Sequence, residues 1–144
     1  GLTLSHSRRH IYRALLESTA FGLRQALEPI VNAGARLTRI VSTGGGIKNR
    51  VWTQCVSDII GYDQDVLVHP WGSPYGDAYI AGIGVGLFPD LSALREQWVK
   101  DTVKVTCNPE AHKLYDRYYE VYKGLYAKLK DDMHALARLG GAAG

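Results

Sequence analysis

Three consecutive glycines, Gly44-Gly45-Gly46, followed by Ile47-Lys48-Asn49, are the residues of this sequence best suited to hold a ligand. Glycine lets a backbone approach a ligand closely and adopt positive φ. A helix starting just beyond them would present unpaired N–H groups and a partial positive charge. That combination suits a phosphate or a nucleotide. The pattern is neither G-x-x-x-x-G-K-S/T nor G-x-G-x-x-G, so neither phosphate motif is assigned. A tight turn is the competing reading. Asn49 could reach a bound base or cap the helix, Lys48 could meet phosphate or water, and Trp52 could be core or line a base pocket.

The other candidate groups offer less. The histidines at 6, 10, 69, 112 and 134 lack zinc spacing, and there is no Cys-x-x-Cys. His69 and Ser73 are four apart, but Ser73 reads better as a helix cap. Asp58 and Asp77 read as surface or cap residues, and Glu17 has no visible acid partner. Tyr115, Tyr118, Tyr119, Tyr122 and Tyr126 read as one packed amphipathic helix. A ligand loop without a nucleophile, a base or a metal-ligand set looks like half of an active site.

Alternating elements must position that loop. Ser7 is a plausible N-cap, although the Glu or Gln that would complete a capping box is replaced by His10. The apolar stripe Tyr12, Leu16, Leu23, Leu27, Ile30 predicts a helix from Arg8, kinked or shortened near Pro29 and stopped at Gly34. Leu37–Thr43 is β-branched enough for a strand. It runs into the glycines and then a helix whose apolar face is Val51, Trp52, Cys55, Val56, Ile59 and Ile60, ended by Gly61. Asp65–His69 is a second strand. Ser73-Pro74 predicts a cap and first-turn proline for a helix from Tyr75 to Gly86. Its many small residues would need a closely packed partner. Leu91–Val99 is expected as a short helix, and Thr102–Thr106, where Val103 and Val105 alternate with polar residues, as a short strand. Asn108-Pro109 opens the last helix, with a stripe of Ala111, Leu114, Tyr118, Val121, Tyr122, Leu125, Leu129, Met133 and Leu136. Such alternation predicts an α/β domain with a mostly parallel sheet, whose carboxyl edge would carry the site.

The whole-chain numbers agree. The 144 residues suffice for one domain, 46% are hydrophobic and 22% charged, and the formal net charge is +3. Only Arg8-Arg9-His10 clusters basic residues, so a nucleic-acid partner is not expected. No apolar run is long enough for a membrane span. Cys55 and Cys107 are expected as buried free thiols, which fits the cytoplasm. The sequence opens on Gly1 and its single methionine is Met133, so either a processed residue is missing or this is a piece of a longer protein.

Several segments together carry a resemblance. Gly1-Leu2-Thr3 through His6-Ser7-Arg8 to Ile11–Glu17 resembles the second signature of the FGGY carbohydrate kinases, whose consensus ends on an acid. Ser42–Gln54 is similar to that family's Gly-Gly-Gly-Ala-Lys-Ser-Pro-Leu-Trp-x-Gln segment, with Asn49-Arg50 in place of Ser-Pro. Asn49 is similar to the position that contacts adenine in glycerol kinases. Gly61, Gly76 with its small-residue helix, and Asn108-Pro109-Glu110 also fit, with the closest likeness to the xylulokinase branch.

The resemblance implies the C-terminal lobe of a two-lobed actin-like, ribonuclease-H-like ATPase fold, here lacking its first strands. Residues 1–138 would be the partial nucleotide-binding domain and 139–144 a flexible tail. It implies ATP with Mg as cofactors and transfer of the γ-phosphate to a sugar hydroxyl, of a pentulose such as xylulose. Gly44, Gly45, Gly46 and Asn49 would bind the nucleotide. The catalytic base, the metal ligands and most sugar contacts would lie in a missing N-terminal lobe, so the chain alone is expected to be inactive. A second copy of the chain is a further candidate partner. Two other readings stay open: a stand-alone α/β nucleotide- or phosphate-binding module without catalysis, and a structural domain with the Tyr-rich helix as its interface.

Overall fold

Caps and glycines set the element boundaries in the computed structural model, which describes residues 1–69, 71–94 and 98–141. Helix α1 spans Arg8–Asn32, strand β1 Val41–Ser42, α2 Arg50–Ile60, β2 Gln64–Leu67, α3 Ser73–Gly84, β3 Thr102–Val105 and α4 Pro109–Gly141. A 3₁₀ turn, Gly45–Lys48, lies between β1 and α2.

The sheet order is β1-β2-β3. β1 and β2 are parallel, with Val41 opposite Asp65. β2 and β3 are antiparallel, with Gln64 opposite Val105. The expected strand at 37–43 narrows to two ladder residues, Val41 and Ser42; one further bond, Asp65 N–H to the Ile40 carbonyl (2.8 Å), extends the pairing.

Most of α2 is buried, from Cys55 through Ile60 together with Thr53, because it lies between the sheet and helices α1 and α4. The main core joins Ala20 and Phe21 of α1, Val56, Ile59 and Ile60 of α2, and Tyr115 and Tyr119 of α4. A smaller cluster, Ile47 with Val66 and Leu67, lies under the glycine turn.

Several expectations need correction. The Tyr12–Ile30 stripe of α1 is buried only in part: Leu27 packs against the core and Leu16 is half-buried, but Tyr12, Leu23 and Ile30 are exposed. Its contact face carries polar groups beside Ala20 and Phe21. Arg13 Nε donates to Glu17 Oε1 (2.7 Å) and Arg13 Nη2 to the Tyr115 hydroxyl (2.8 Å), which itself donates to Glu17 Oε1 (2.7 Å). Arg24 donates to Asp116 Oδ1 (2.6 Å) and to the Ile59 carbonyl (3.0 Å), so it ties three helices. Glu17, with no evident partner in the sequence, is thus a pin between α1 and α4. The α4 stripe also turns outward in part: Ala111 and Tyr122 pack against the core, but Leu114, Tyr118, Val121 and Leu125 are exposed, while Tyr115 and Tyr119 fill the core.

Asp58 is not a surface residue but only 6% exposed. Its Oδ1 accepts from Gln54 Nε2 and from the Asn108 backbone N–H, each 2.8 Å, which fixes the chain just before α4. Cys55 is fully buried as expected, but Cys107 is only half-buried. α1 runs three residues past Pro29, and His10 takes the missing Glu's part: Ser7 N–H donates to His10 Nδ1 (3.0 Å).

Gly72, not Ser73, caps α3, and the proline follows in the first turn. Of the small residues of α3, Gly82 meets Phe88, whereas a Cβ on Gly76 or Gly84 would meet nothing within 4 Å. No close helix partner covers that face among the described residues. Gly61 in the left-handed region ends α2, and Asn108 Oδ1 caps α4 through the Glu110 and Ala111 N–H groups (3.0 and 3.2 Å), both as the sequence predicts. α4 takes in Leu139–Gly141 of the expected tail, and residues 142–144 lie outside the described ones. So do Pro70 and residues 95–97 of the expected 91–99 helix. Among the described residues no helix is long and apolar enough to cross a membrane.

Candidate functional site

The glycine turn lies at the carboxyl end of β1, beside the loop that leaves the carboxyl end of its parallel neighbour β2. The two loops touch: a Cβ built on Gly72 would lie 3.4 Å from Gly44 Cα. Ligands of α/β proteins bind at this edge, where strand ends and helix starts converge.

Each of the three glycines answers a different demand. Gly44 sits at φ +89°, a conformation that L side chains rarely adopt. Gly46 is required by packing, because a Cβ there would come 2.5 Å from the Trp52 ring. Trp52 is therefore core-facing; its Nε1–H donates to Thr19 Oγ1 (2.8 Å) on α1. Gly45 answers neither demand: its φ is not positive, and a Cβ there would meet nothing within 4 Å. The fold leaves its glycine unexplained, and its surface faces open space.

The backbone donors lie in the turn rather than at the helix start. Asn49 Oδ1 accepts from the Val51 and Trp52 N–H groups (3.1 and 3.2 Å), so the first turn of α2 is already capped. The Gly45 and Gly46 N–H groups have no partner among the described residues. They begin a 3₁₀ turn, where such donors are left over for a ligand or water. The second end of the Asn49 carboxamide is also held: Nδ2 donates to the Tyr12 hydroxyl (3.0 Å) on α1. The capping reading of Asn49 therefore holds, while its nitrogen meets a tyrosine of α1.

Next to the turn is a cleft of about 640 Å³, within the usual range for small-molecule sites. Val66, Leu67, Val103 and Val105 line its apolar side, and Lys48 and Arg50 bring cations to it. Neither cation forms an ion pair among the described residues.

Below the turn a buried polar network fixes the strand ends. Ser42 Oγ donates to Gln64 Oε1 (2.5 Å), and Gln64 Nε2 donates to the Thr53 carbonyl (3.0 Å) and to Ser57 Oγ (2.8 Å). Gln64 is 2% exposed, and every polar atom of its side chain is satisfied, so the network holds β1, β2 and α2 in register. Tyr12 reads from the sequence only as part of the α1 stripe, and Gln64 and Gly72 carry no site reading there. Gly72 alone left a signal, a glycine soon after the second parallel strand. His69 and Ser73 form no hydrogen bond with each other among the described residues, and His69 lies against Trp71 instead. No group of three or more His, Cys, Asp or Glu able to hold a metal is found among the described residues.

Comparison with known proteins adds an independent line. The family model described as the FGGY family of carbohydrate kinases, C-terminal domain, matches residues 1–85. A xylulose kinase of Staphylococcus epidermidis is 32% identical over 130 residues, 90% of this chain and 26% of its own length. A glycerol kinase of Clavibacter michiganensis is 38% identical over 103 residues, 71% of this chain and 20% of its own. Among solved structures, the xylulose kinase from Rhodospirillum rubrum superposes with a TM-score of 0.72 at 34% identity, covering 93% of this chain and 27% of that one. The chain spans about a quarter of the length of the curated relatives it matches.

Proposed function

We propose a function from one premise: the chain belongs to the FGGY family of carbohydrate kinases. Its α/β fold is part of the actin-like, ribonuclease-H-like ATPase fold of those enzymes. The proposed function is the nucleotide side of an ATP-dependent kinase, residues 1–138, that moves the γ-phosphoryl group of ATP to a hydroxyl of a sugar. A pentulose such as xylulose is the proposed acceptor. What supports that choice over glycerol is coverage: the xylulose kinase match spans 90% of the chain and the glycerol kinase match 71%.

The observation that carries the reading is Gly45, open to solvent beside two unpartnered backbone N–H groups. In the proposal, the Gly45 and Gly46 N–H groups donate to phosphate oxygens, while Gly44 sets the turn that aims them. Asn49 Nδ2 donates to the base. Lys48 and Arg50 add positive charge beside the turn. Phosphoryl transfer depends mainly on positioning and charge stabilisation, and these residues supply the first of these. Magnesium, bound with ATP, would offset phosphate charge; the described residues gather no ligand set for it, and no step here runs through it. The base that takes the sugar's hydroxyl proton is placed outside this chain. The cytoplasm is the proposed compartment, in keeping with two unpaired thiols.

A coupled ADP-release assay with xylulose and other ketoses tests the division of labour. The purified chain is expected to show no sugar-dependent turnover, yet to bind ADP in a calorimetric titration. Turnover would overturn the need for a second lobe. Absence of ADP binding would overturn the nucleotide reading.

A further inference from the structure

Building on the nucleotide reading above, we infer that Tyr12 faces the nucleobase beside Asn49, and that its hydroxyl opens the site to 6-amino and 6-oxo purines alike. Asn49 cannot choose its own orientation. Two backbone N–H groups, of Val51 and Trp52, require an acceptor, so the carboxamide oxygen is fixed toward α2. The nitrogen is thereby fixed on the opposite side, and one of its two protons goes to the Tyr12 hydroxyl. The other has no partner among the described residues. What Asn49 offers a ligand is therefore a donor only.

Tyr12 itself is 57% exposed, on a stretch of α1 where Ile11 and Leu15 are exposed as well. Its hydroxyl accepts one hydrogen bond and keeps both its own proton and a further lone pair. The purine edge that carries N7 makes use of that pair. Adenine presents N7 as acceptor beside the 6-amino donor, and guanine presents N7 beside the O6 acceptor. The Asn49 N–H serves N7 in either base. The neighbouring group must accept from adenine and donate to guanine, and a hydroxyl does both. A carboxamide free to flip could favour one base over the other, but this one is locked. Pyrimidines lack N7 and lose the Asn49 bond.

The test is calorimetric titration of ADP, GDP and UDP into the 144-residue chain and into Tyr12→Phe and Asn49→Asp. The wild-type Kd values for ADP and GDP are expected within about tenfold of each other, with UDP weaker than both. Tyr12→Phe should weaken ADP and GDP by twofold or more, about fivefold for one hydrogen bond, and leave UDP unchanged. Asn49→Asp keeps an acceptor for the cap, so the melting temperature should hold. It replaces the ligand-facing donor with an acceptor and should weaken ADP about tenfold or more. A purely structural role for Tyr12 predicts equal loss for all three nucleotides, and that result overturns the inference. So does Tyr12→Phe binding ADP within twofold of wild type, unchanged ADP binding by Asn49→Asp, or a wild type that separates ADP from GDP by more than tenfold. A wild type that binds none of the three overturns the nucleotide reading itself, and this inference with it.

Discussion

Gly45 and Gly46 are adjacent and chemically identical, yet substitution should affect them in opposite ways. An alanine Cβ at Gly45 enters open space on a backbone that any residue adopts. Gly45→Ala should therefore leave stability unchanged or raise it by about 0.5 kcal/mol, through a less flexible unfolded chain. The same methyl stands where a phosphate would approach, so ADP affinity should fall about tenfold. At Gly46 the methyl meets the Trp52 ring 2.5 Å away, and Gly46→Ala should cost about 1–3 kcal/mol. Urea melts of both variants together with an ADP titration check the pair. A Gly45→Ala protein that is destabilised but binds ADP normally would show that the residue shapes the fold alone.

Among the elements, α1 and α4 meet through a face that apolar periodicity does not reveal. Tyr115 and Tyr119 are buried there, each donating to a carboxylate of α1, Glu17 and Glu28 respectively. Burial first, then the nearby carboxylates, pushes each phenol up to about 12 from its usual value near 10. The folded state therefore keeps protons that the unfolded state loses between about pH 10 and pH 12. This stabilising contribution is complete below pH 10 and disappears as pH rises through 12. The melting temperature should fall steeply over that interval, with phenolate absorbance appearing as the helices separate. Tyr115→Phe should flatten the fall. An equally steep fall in that variant would assign the alkaline transition to other groups. Burial also holds the Cys55 thiol above its ordinary range, so Cys55 should react slowly with thiol reagents at neutral pH.

For the molecule as a whole, much apolar surface is uncovered. Leu125, Leu129, Met133 and Leu136 of α4 and Val85 and Leu87 after α3 are all exposed. With the chain spanning about a quarter of its relatives' length, stability at this scale should depend strongly on what binds it. ADP at a hundredfold excess over its Kd should add about 2.7 kcal/mol. For a chain of 144 residues this corresponds to a rise in melting temperature of roughly 5–10 °C. A scan of melting temperature against ADP concentration measures it. A flat response would show that the chain does not hold nucleotide by itself.

The amino-acid sequence alone determined the features that depend on one residue and its immediate neighbours. The glycine turn after β1, Gly61 ending α2 and Asn108-Pro109 starting α4 were all legible, because a backbone angle or a short side chain sets each of them. The ordered motifs also identified the family. Only the tertiary structure decided which helix faces are buried, that Asp58 and Gln64 lie in the interior, and that Gly46 answers to Trp52 while Gly45 answers to open space. It alone showed that the nitrogen of the capped Asn49 carboxamide meets a tyrosine 37 positions away. The reason is physical. Hydrophobic periodicity reports how much surface an element can bury, whereas hydrogen bonds between distant side chains choose the face, and no local pattern encodes those partners.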